Sequence, residues 1–360
     1  MRAHVAADAQ TASRSPALLA DEQLLHVQQI VKRFPQRRPW RDIVRAPLAR
    51  TYVDALRGVS FHVGAGEFYG LLGANGAGKT TLMKVIATLI VPDGGSVTVA
   101  GHDVERDAPA VRSLMSLSLA SERGLYWRLS ARENLKLFAA LHAIEPGLVS
   151  ARVNEALRDV GLVEAADRMV REFSSGMVQR LIIARALLPQ PRLLLLDEPT
   201  RSLDPVAARE FRRFLRDELA HRRQCAVLLA THDADEAFNL CRRVAILDRG
   251  AVVAEGSAHD LAYDVLGARH VMTVDQPDHD AFARLSAGGD IEVLGRESME
   301  GKAWARLTLR VRGGDDAVSD VLATVVRAGV RVQTMEKAQA SLADLIAAVL
   351  GRQRGGSDAR

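Results

Sequence analysis

The strongest constraint on the fold of this chain is a glycine-rich octapeptide between an apolar stretch and a helical pattern. Its residues are Gly73, Ala74, Asn75, Gly76, Ala77, Gly78, Lys79 and Thr80, and Thr81 follows. Glycines let the backbone turn tightly, so that consecutive amide groups converge on a phosphate. The lysine can reach the β- and γ-phosphates of a nucleotide, and the Thr80 hydroxyl can hold Mg²⁺. The octapeptide therefore predicts a binding site for a nucleoside triphosphate.

The segments on either side of the octapeptide agree with this prediction. Residues 67–72 are typical of a short strand, and apolar residues recur at helical spacing from Leu82 to Leu89. A helix that begins at Lys79 would point the positive end of its dipole at the phosphates. The order of strand, loop and helix predicts an α/β fold with a P-loop NTPase core.

Two acidic residues end a second apolar stretch. Four leucines at 193–196 are typical of a buried parallel strand, and Asp197 and Glu198 follow them directly. Carboxylates are costly at such a position unless they bind a cation or take part in catalysis. We therefore expect Asp197 to hold Mg²⁺ through water. Glu198 is expected to orient or deprotonate the attacking water, so that Glu198 and Lys79 are candidate catalytic residues.

A third segment carries a resemblance to a known family. Residues 173–180 read Phe-Ser-Ser-Gly-Met-Val-Gln-Arg, and a helical pattern continues from them. This segment resembles the Leu-Ser-Gly-Gly-Gln signature of ABC transporter ATP-binding subunits, although Met177 replaces the glutamine. The resemblance implies that Ser174 and the amides of Ser175 and Gly176 contact the γ-phosphate of an ATP held by a second copy of the chain. The N-terminus of a helix is a suitable place for such an anion.

Two later segments extend the resemblance. Residues 202–204 are similar to the loop that crosses the dimer interface, which implies that Asp204 faces the phosphate loop of the partner. His232 follows a strand pattern at 226–230 and is identified with the histidine that reads the γ-phosphate, a further catalytic candidate. A histidine after an apolar strand is more often an ordinary hydrogen-bonded polar group, so this assignment depends on its place after the other motifs.

Two positions depart from the family pattern. The glutamine that senses Mg²⁺ should fall near Ser121 or Glu122, and neither residue is a glutamine. Glu122 could hold the metal directly, but the register is open by one residue. The aromatic residue that stacks on adenine is expected at Phe34, with Tyr52 as the alternative because an insertion separates the two.

That insertion, residues 35–49, is strongly basic. It carries a single acid, Asp42, and four arginines, which are Arg37, Arg38, Arg41 and Arg45. Apolar residues between them recur at roughly helical spacing, which predicts a short amphipathic piece on anionic lipid or on a membrane partner. An ordinary solvated basic loop is the more common interpretation of such a composition.

The chain divides into a large and a small predicted domain. The nucleotide domain is expected at 24–262, with a helical subdomain at about 130–185 that carries the signature. A small α+β accessory domain is expected at 268–352, and residues 1–23 and 353–360 are predicted to be disordered tails.

The accessory domain shows an alternation of strand, helix, strand, strand, helix, strand and helix. Period-two patterns mark its middle strands, one at Ile291 and Val293 and the other from Leu307 to Val311. The order suits a small split βαβ fold. The last helix, which begins at Ser341, weakly resembles the closing segment of exporter ATPases.

Composition limits the cellular setting. The 360 residues include two cysteines, Cys225 and Cys241, which we expect to be reduced and buried. No apolar run approaches the ~20 residues that span a bilayer. The net charge of +4 favours neither nucleic acid nor a membrane surface. We expect a peripheral protein at the cytoplasmic face of the cell membrane that acts through a partner.

The resemblance as a whole implies an ATPase that uses ATP and Mg²⁺, dimerises with itself and drives export by a separate integral membrane permease of the ABC-2 type. An importer ATPase is the alternative, since the C-terminal domain alone hints at export. A soluble ABC-type ATPase that acts on nucleic acid is less favoured. Such proteins need a long coiled coil before the signature, and no sustained heptads occur there.

Overall fold

The computed structural model describes residues 23–36, 52–118, 124–201, 203–219, 225–257, 261, 268–298, 304–312 and 314–337. These residues form two units. The first comprises the described residues up to Thr231 together with Leu247–Val252, and the second comprises His232–Ile246 and the described residues from Val253 onward. The predicted boundaries at 262 and 268 remain predictions. Residues 1–22 and 353–360 of the two predicted tails, Ser121, Glu122 and residues 37–49 of the basic insertion lie outside the described residues, whereas Gln23, predicted as the end of the first tail, begins a strand.

The first unit alternates strands and helices. In chain order its elements are β1 (Gln23–Pro35), β2 (Tyr52–Gly64), β3 (Phe68–Leu72), α1 (Lys79–Ile86), β4 (Gly94–Val99), β5 (His102–Asp103), α2 (Ala108–Leu114), β6 (Met115–Ser118), α3 (Ala131–Leu141), α4 (Pro146–Asp159), a 3-10 turn (Val170–Glu172), α5 (Ser175–Leu187), β7 (Leu193–Asp197), α6 (Pro205–Phe214), a π-helical turn (Leu215–Leu219) and β8 (Ala226–Thr231).

A parallel sheet forms the centre of the first unit, with the order β3, β8, β7, β6. Every residue of β3, β7 and β8 is buried, which agrees with their continuous apolar sequences. The carboxyl ends of the strands meet at one edge of this sheet, where the amide of Gly73 donates to the carbonyl of Thr231 at 3.2 Å. At the same edge, the amide of Glu198 donates to the carbonyl of Ala230 at 2.8 Å. The octapeptide and the acidic pair are therefore neighbours.

A second sheet of the first unit is antiparallel and has the order β2, β1, β4, β5. The strands β1 and β2 pair along their length, with Phe34 opposite Val53 and Pro35 opposite Tyr52. Pro35, the first residue of the basic insertion, thus belongs to the last residue pair of these two strands.

The stretch between β6 and β7 is helical and contains α3, α4 and α5. Ser130 and Glu133 form a capping box at the beginning of α3, in which the Ser130 amide donates to the Glu133 carboxylate at 2.8 Å.

Helix α1 is shorter than its sequence pattern, because it ends at Ile86 and leaves Leu89 60% exposed.

The second unit contains α7 (Ala234–Leu240), β9 (Arg243–Asp248), β10 (Ala251–Ser257), β11 (Ala268–Val274), α8 (Asp280–Ala287), β12 (Ile291–Ser298), β13 (Ala305–Val311), α9 (Gly314–Arg327) and β14 (Val332–Lys337), although β9 and β10 contribute their adjoining ends to the first unit. The strands β9 and β10 are neighbours in one sheet, and Arg243 bonds Glu255 between them at 2.5 Å.

The last four strands of this unit form an antiparallel sheet with the order β12, β13, β11, β14. The order of strand, helix, strand, strand, helix, strand confirms the split βαβ pattern, and the helix predicted from Ser341 lies outside the described residues. The apolar side of β13 is buried, together with Met272 and Val325. The alternation predicted for β12 is wrong at Val293, which is 44% exposed, because β12 is an edge strand whose register shifts between Val293 and Gly295.

Candidate nucleotide site

The octapeptide forms the loop between β3 and α1, and two of its glycines are required by close backbone contacts. A Cβ atom on Gly73 would lie 2.5 Å from the carbonyl oxygen of Leu247, and one on Gly78 would lie 2.6 Å from that of Ala55. Gly78 also has a φ of +110°, a conformation that favours glycine. The glycines therefore allow the loop to pack closely against the rest of the first unit.

Lys79 is buried at the base of this loop, where it is 5% exposed. Its ammonium group donates to the carbonyl oxygens of Gly73 at 2.7 Å and Ala74 at 3.2 Å. The Lys79 Nζ atom also lies 3.7 Å from Oε1 of Glu198. Burial lowers the pKa of Lys79, and the carboxylates of Glu198 and Asp197 oppose this shift.

Thr80 and Asp197 meet across the site, as their predicted roles require. The Thr80 hydroxyl donates to Oδ2 of Asp197 at 2.7 Å. Asp197 is 6% exposed, and its burial raises the pKa of the carboxyl group, while the Thr80 bond and the charge of Lys79 act in the opposite direction. A buried carboxylate of this kind gains from a nearby cation.

The donor set fits Mg²⁺. Thr80 and Asp197 present oxygen atoms, which Mg²⁺ prefers, and Mg²⁺ is usually held by one or two carboxylates together with substrate phosphates. Within the described ranges, no three or more His, Cys, Asp or Glu side chains come together as a metal site of their own. The phosphates of a bound nucleotide would be further oxygen ligands of the kind that Mg²⁺ takes. The predicted role of Glu122 stays a prediction, because that residue lies outside the described residues.

Glu198 follows β7 and is held in an uncommon backbone conformation. Its φ is +47°, in the left-handed region that residues with a side chain rarely adopt. Its side chain is 8% exposed. Strained conformations of this kind cluster at functional sites, because the surrounding structure must support them. The turn after β7 thus directs the Glu198 carboxylate towards Lys79.

A cavity of about 270 Å³ brings these groups together. Its lining residues are Val53, Asp54, Ala55, Asn75, Gly76, Gly78, Lys79, Thr80, Thr81, Asp197, Glu198 and Arg201. Phe34 and Tyr52 are absent from this lining, although Val53 lies opposite Phe34 in the sheet. Phe34 is 36% exposed and packs against the ammonium group of Lys32 at 5.6 Å. The adenine-stacking role of Phe34 therefore stays a prediction.

Sequence reasoning missed two contributors to this cavity. The first is the segment from Val53 to Ala55, which gave no sequence signal because it lies in another strand and reaches the loop through tertiary packing, with the carbonyl of Ala55 against Gly78. The second is Arg201, a cation three residues after Glu198 in the same turn. Its position close to two carboxylates in the sequence could have indicated that it lies in the site.

The signature segment lies at a separate place in the first unit. Ser174 is the N-cap of α5, and its hydroxyl accepts a bond from the amide of Met177 at 3.3 Å. Ser174 and Gly176 line a second cavity of about 660 Å³, the Ser174 cavity. It has no lining residue in common with the cavity of about 270 Å³ around the octapeptide, which we call the phosphate-loop cavity. Ser174 and Ser175 are exposed.

The remaining candidates, Asp204 and His232, are both exposed. Asp204 is the N-cap of α6 and accepts bonds from the amides of Val206 and Ala207, both at 3.0 Å. His232 directly follows β8 and begins the second unit. The partner-facing role of Asp204 and the γ-phosphate role of His232 stay predictions.

Comparison with known proteins identifies the family. The model of the ABC transporter family matches residues 56–201. The daunorubicin resistance ATP-binding protein DrrA3 of Streptomyces coeruleorubidus is 40% identical over 215 residues, which cover 60% of this chain and 67% of that protein. The Nod factor export ATP-binding protein I of Rhizobium meliloti (strain 1021) is 36% identical over 265 residues, which cover 73% and 78%.

The fold agrees with solved structures. The protein cbiO1 from Clostridium perfringens, part of the ABC transporter complex cbiONQ, superposes with a TM-score of 0.57 at 24% identity, over 67% of this chain and 90% of that chain. In the described part of the chain, no helix combines the length and apolar character needed to cross a bilayer. The match to the family model and to the two relatives shows that the chain belongs to the ABC transporter ATP-binding proteins, a family of ATP-hydrolysing subunits that dimerise and pair with membrane components.

Proposed function

We propose that this chain hydrolyses Mg-ATP as a homodimer in which each copy completes the site of the other, and that this cycle drives export by a separate membrane permease of the ABC-2 type. The observation that carries the proposal is that the predicted phosphate loop and the predicted signature line different cavities of one chain. The phosphate-loop cavity and the Ser174 cavity have no lining residue in common, which supports two half-sites that are joined in a dimer. A second copy supplies the missing half.

The phosphate-loop half binds the nucleotide. Loop amides and Lys79 hold the β- and γ-phosphates, while Thr80 and Asp197 hold Mg²⁺. Bound Mg²⁺ would neutralise charge that develops on the phosphate oxygens. Glu198, buried in the same cavity, orients the attacking water and accepts its proton.

The signature half caps the nucleotide of the partner. A hydroxyl that accepts one hydrogen bond can still donate its own hydrogen, so Ser174 can cap α5 and bind a phosphate oxygen together. The amides of Ser175 and Gly176 lie at the positive end of α5. In the proposed dimer, Asp204 faces the partner and His232 reads the γ-phosphate. Hydrolysis removes the γ-phosphate that holds the two copies together.

The names of the relatives support the proposed direction of transport. One is named for drug resistance and another for Nod factor export, which supports export over the importer alternative. We propose a peripheral location at the cytoplasmic face of the cell membrane, with residues 35–49 available to contact the membrane surface. A neighbouring gene that encodes about six apolar spans, without a binding protein beside it, would support this direction of transport.

Mixed dimers test the proposal. Lys79→Ala damages the phosphate-loop half, and Ser174→Asp keeps a helix N-cap but opposes a phosphate with a negative charge. Each variant alone should lack ATPase activity. An equal mixture should recover about one quarter of the wild-type rate, because half of the randomly paired dimers contain one intact site of two.

The matched control carries both substitutions in one chain. Mixed with the Lys79→Ala variant, this double variant offers no intact phosphate loop in either chain, so the mixture should stay inactive. A mixture of the two single variants that stays equally inactive would show that each chain completes its own site.

A further inference from the structure

Arg201 is a residue of the cavity that the family signature does not account for. Its backbone amide donates to the carbonyl oxygen of Glu198 at 3.2 Å and closes the turn that follows β7. Its side chain folds back over the same turn, with Nη1 3.3 Å from Oε2 of Glu198. One residue therefore contacts both the backbone and the carboxylate of Glu198.

The two carboxylate oxygens of Glu198 face different cations. Oε1 lies 3.7 Å from Nζ of Lys79, and Oε2 faces the guanidinium of Arg201. Lys79 is buried, whereas the side chain of Arg201 is 61% exposed and holds the carboxylate from the solvent side. The Glu198 side chain thus lies between a buried cation and an exposed one.

This ion pair differs from an ordinary surface pair. Exposed pairs contribute little to stability, since water screens both charges. Here the carboxylate is 8% exposed, so water reaches mainly the arginine. The planar guanidinium also offers several donors in a fixed arrangement that matches a carboxylate, which fixes orientation better than an ammonium group does.

We propose that Arg201 is a positioning residue that keeps the carboxylate of Glu198 turned into the nucleotide cavity during hydrolysis. This inference rests on the proposed role of Glu198 as the base. Lys79 is expected to turn towards the β- and γ-phosphates once a nucleotide binds. Arg201 then remains as the cation that holds Glu198, at the end of a turn whose backbone is already strained.

Binding of the phosphates by Arg201 can be distinguished from positioning of Glu198. If Arg201 bound the phosphates itself, its removal would weaken nucleotide binding whether or not Glu198 were present. A positioning residue acts through Glu198, so its removal should lower kcat, leave nucleotide affinity unchanged and lose its effect when Glu198 is replaced.

The experiment measures steady-state ATP hydrolysis and binding of a fluorescent ATP analogue by the full chain. Arg201→Ser should lower kcat about tenfold with little change in KM, because a misplaced catalytic group is costly even at small displacements. Arg201→Lys should recover part of this loss. In the Glu198→Gln background, Arg201→Ser should change neither the residual rate nor the affinity for the analogue.

Arg213→Ser is the matched control, since Arg213 is an exposed arginine of α6 outside the cavity lining. Thermal melting checks folding, and Arg201→Gln, which keeps the length of the side chain better, replaces Arg201→Ser if the latter does not fold. A wild-type kcat for the Arg201 variants beside an inactive Glu198→Gln would overturn this inference alone. Weaker analogue binding in both backgrounds would also overturn it. Full activity of Glu198→Gln would instead refute the proposed function.

Discussion

At the phosphate loop, the side chains of Lys79, Asp197 and Glu198 are between 5% and 8% exposed, whereas at the beginning of α5 both Ser174 and Ser175 are exposed to solvent. The first region concentrates buried charges that contact one another. The second region consists of small polar residues whose local hydrogen bonds are those of any well-capped helix.

This difference separates what one chain must provide from what two chains provide together. Buried ion pairs are weak evidence for stability, because desolvation of the charges offsets their attraction. Their concentration in a cavity instead indicates a binding and catalytic role. The exposed cap is stable by itself, so the single chain gives no energetic sign of its second role. A partner that carries a phosphate would reveal that role.

The largest effect is expected from replacing Glu198, the proposed base of the phosphate-loop half. Glu198→Gln should lower kcat by about 10²- to 10⁴-fold, the usual contribution of a general base. ATP binding should persist, because Lys79 and the loop remain, and the protein should accumulate as an ATP-bound dimer. Size-exclusion chromatography with and without ATP and Mg²⁺ measures this. A variant that stays monomeric in saturating ATP would contradict the proposed capping by a partner.

The next effect separates binding from chemistry. Lys79→Ala removes the buried cation and should weaken ATP binding by about 10- to 100-fold, as expected for the loss of a hydrogen bond from a charged group. Titration with a fluorescent ATP analogue measures the affinity. Lys136→Ala, at an exposed position of α3, is the control. An unchanged affinity of the Lys79 variant would place the phosphates elsewhere.

The buried half could be predicted from sequence, because its chemistry demands particular residue types at particular distances along the chain. A glycine-rich loop, a lysine at its end and a pair of acids after an apolar strand seldom occur together unless they bind a phosphate and a cation. The parallel strands were similarly evident, since continuous apolar stretches are typical of strands that are covered on both faces. In the second unit, the alternating apolar residues of β13 are likewise buried, as their sequence pattern predicts.

Features that tertiary packing decides could not be predicted. The left-handed backbone of Glu198 and the folded-back side chain of Arg201 depend on contacts made after the sheet has assembled. Val53 lines the cavity because β2 packs beside the phosphate loop, and Val293 is exposed because an edge strand shifts its register. Local sequence patterns do not indicate contacts of this kind.

A smaller effect is expected at Ser174, which caps α5 and is proposed to bind a phosphate held by the partner. Ser174→Ala should destabilise the protein by about 1 kcal/mol, the usual loss for an N-cap. Ser174→Asp should keep the cap and the melting temperature but prevent ATP-dependent dimerisation, because its charge opposes the phosphate. Thermal melting and sedimentation in the Glu198→Gln background measure the two roles separately. Equal dimerisation of the Asp variant and its parent would leave Ser174 a purely structural residue.

The smallest effect concerns the pH dependence of the buried half. Burial raises the pKa of Asp197 above its ordinary value of 3.8. The folded protein then binds more protons at this site than the unfolded chain does, so stability is fully present below the unfolded pKa and is lost as the pH rises through the folded pKa. Asp197→Asn removes this loss. Without nucleotide or Mg²⁺, the variant should gain thermal stability relative to wild type as the pH rises above about 4.

Asp93 provides a control of opposite sign. Hydrogen bonds from the Lys32 side chain and the Arg33 amide, at 2.9 Å and 2.6 Å, lower the pKa of the Asp93 carboxyl group. This carboxylate therefore contributes stability above its unfolded pKa, which is lost as the pH falls through the folded pKa. Asp93→Asn should be less stable than wild type at neutral pH, and the difference should shrink in acid. If the stabilities of the two variants relative to wild type instead changed with pH in the same direction, desolvation of the Asp197 carboxylate would not cost stability as the pH rises. The contrast between the buried and the exposed half would then lose its electrostatic basis.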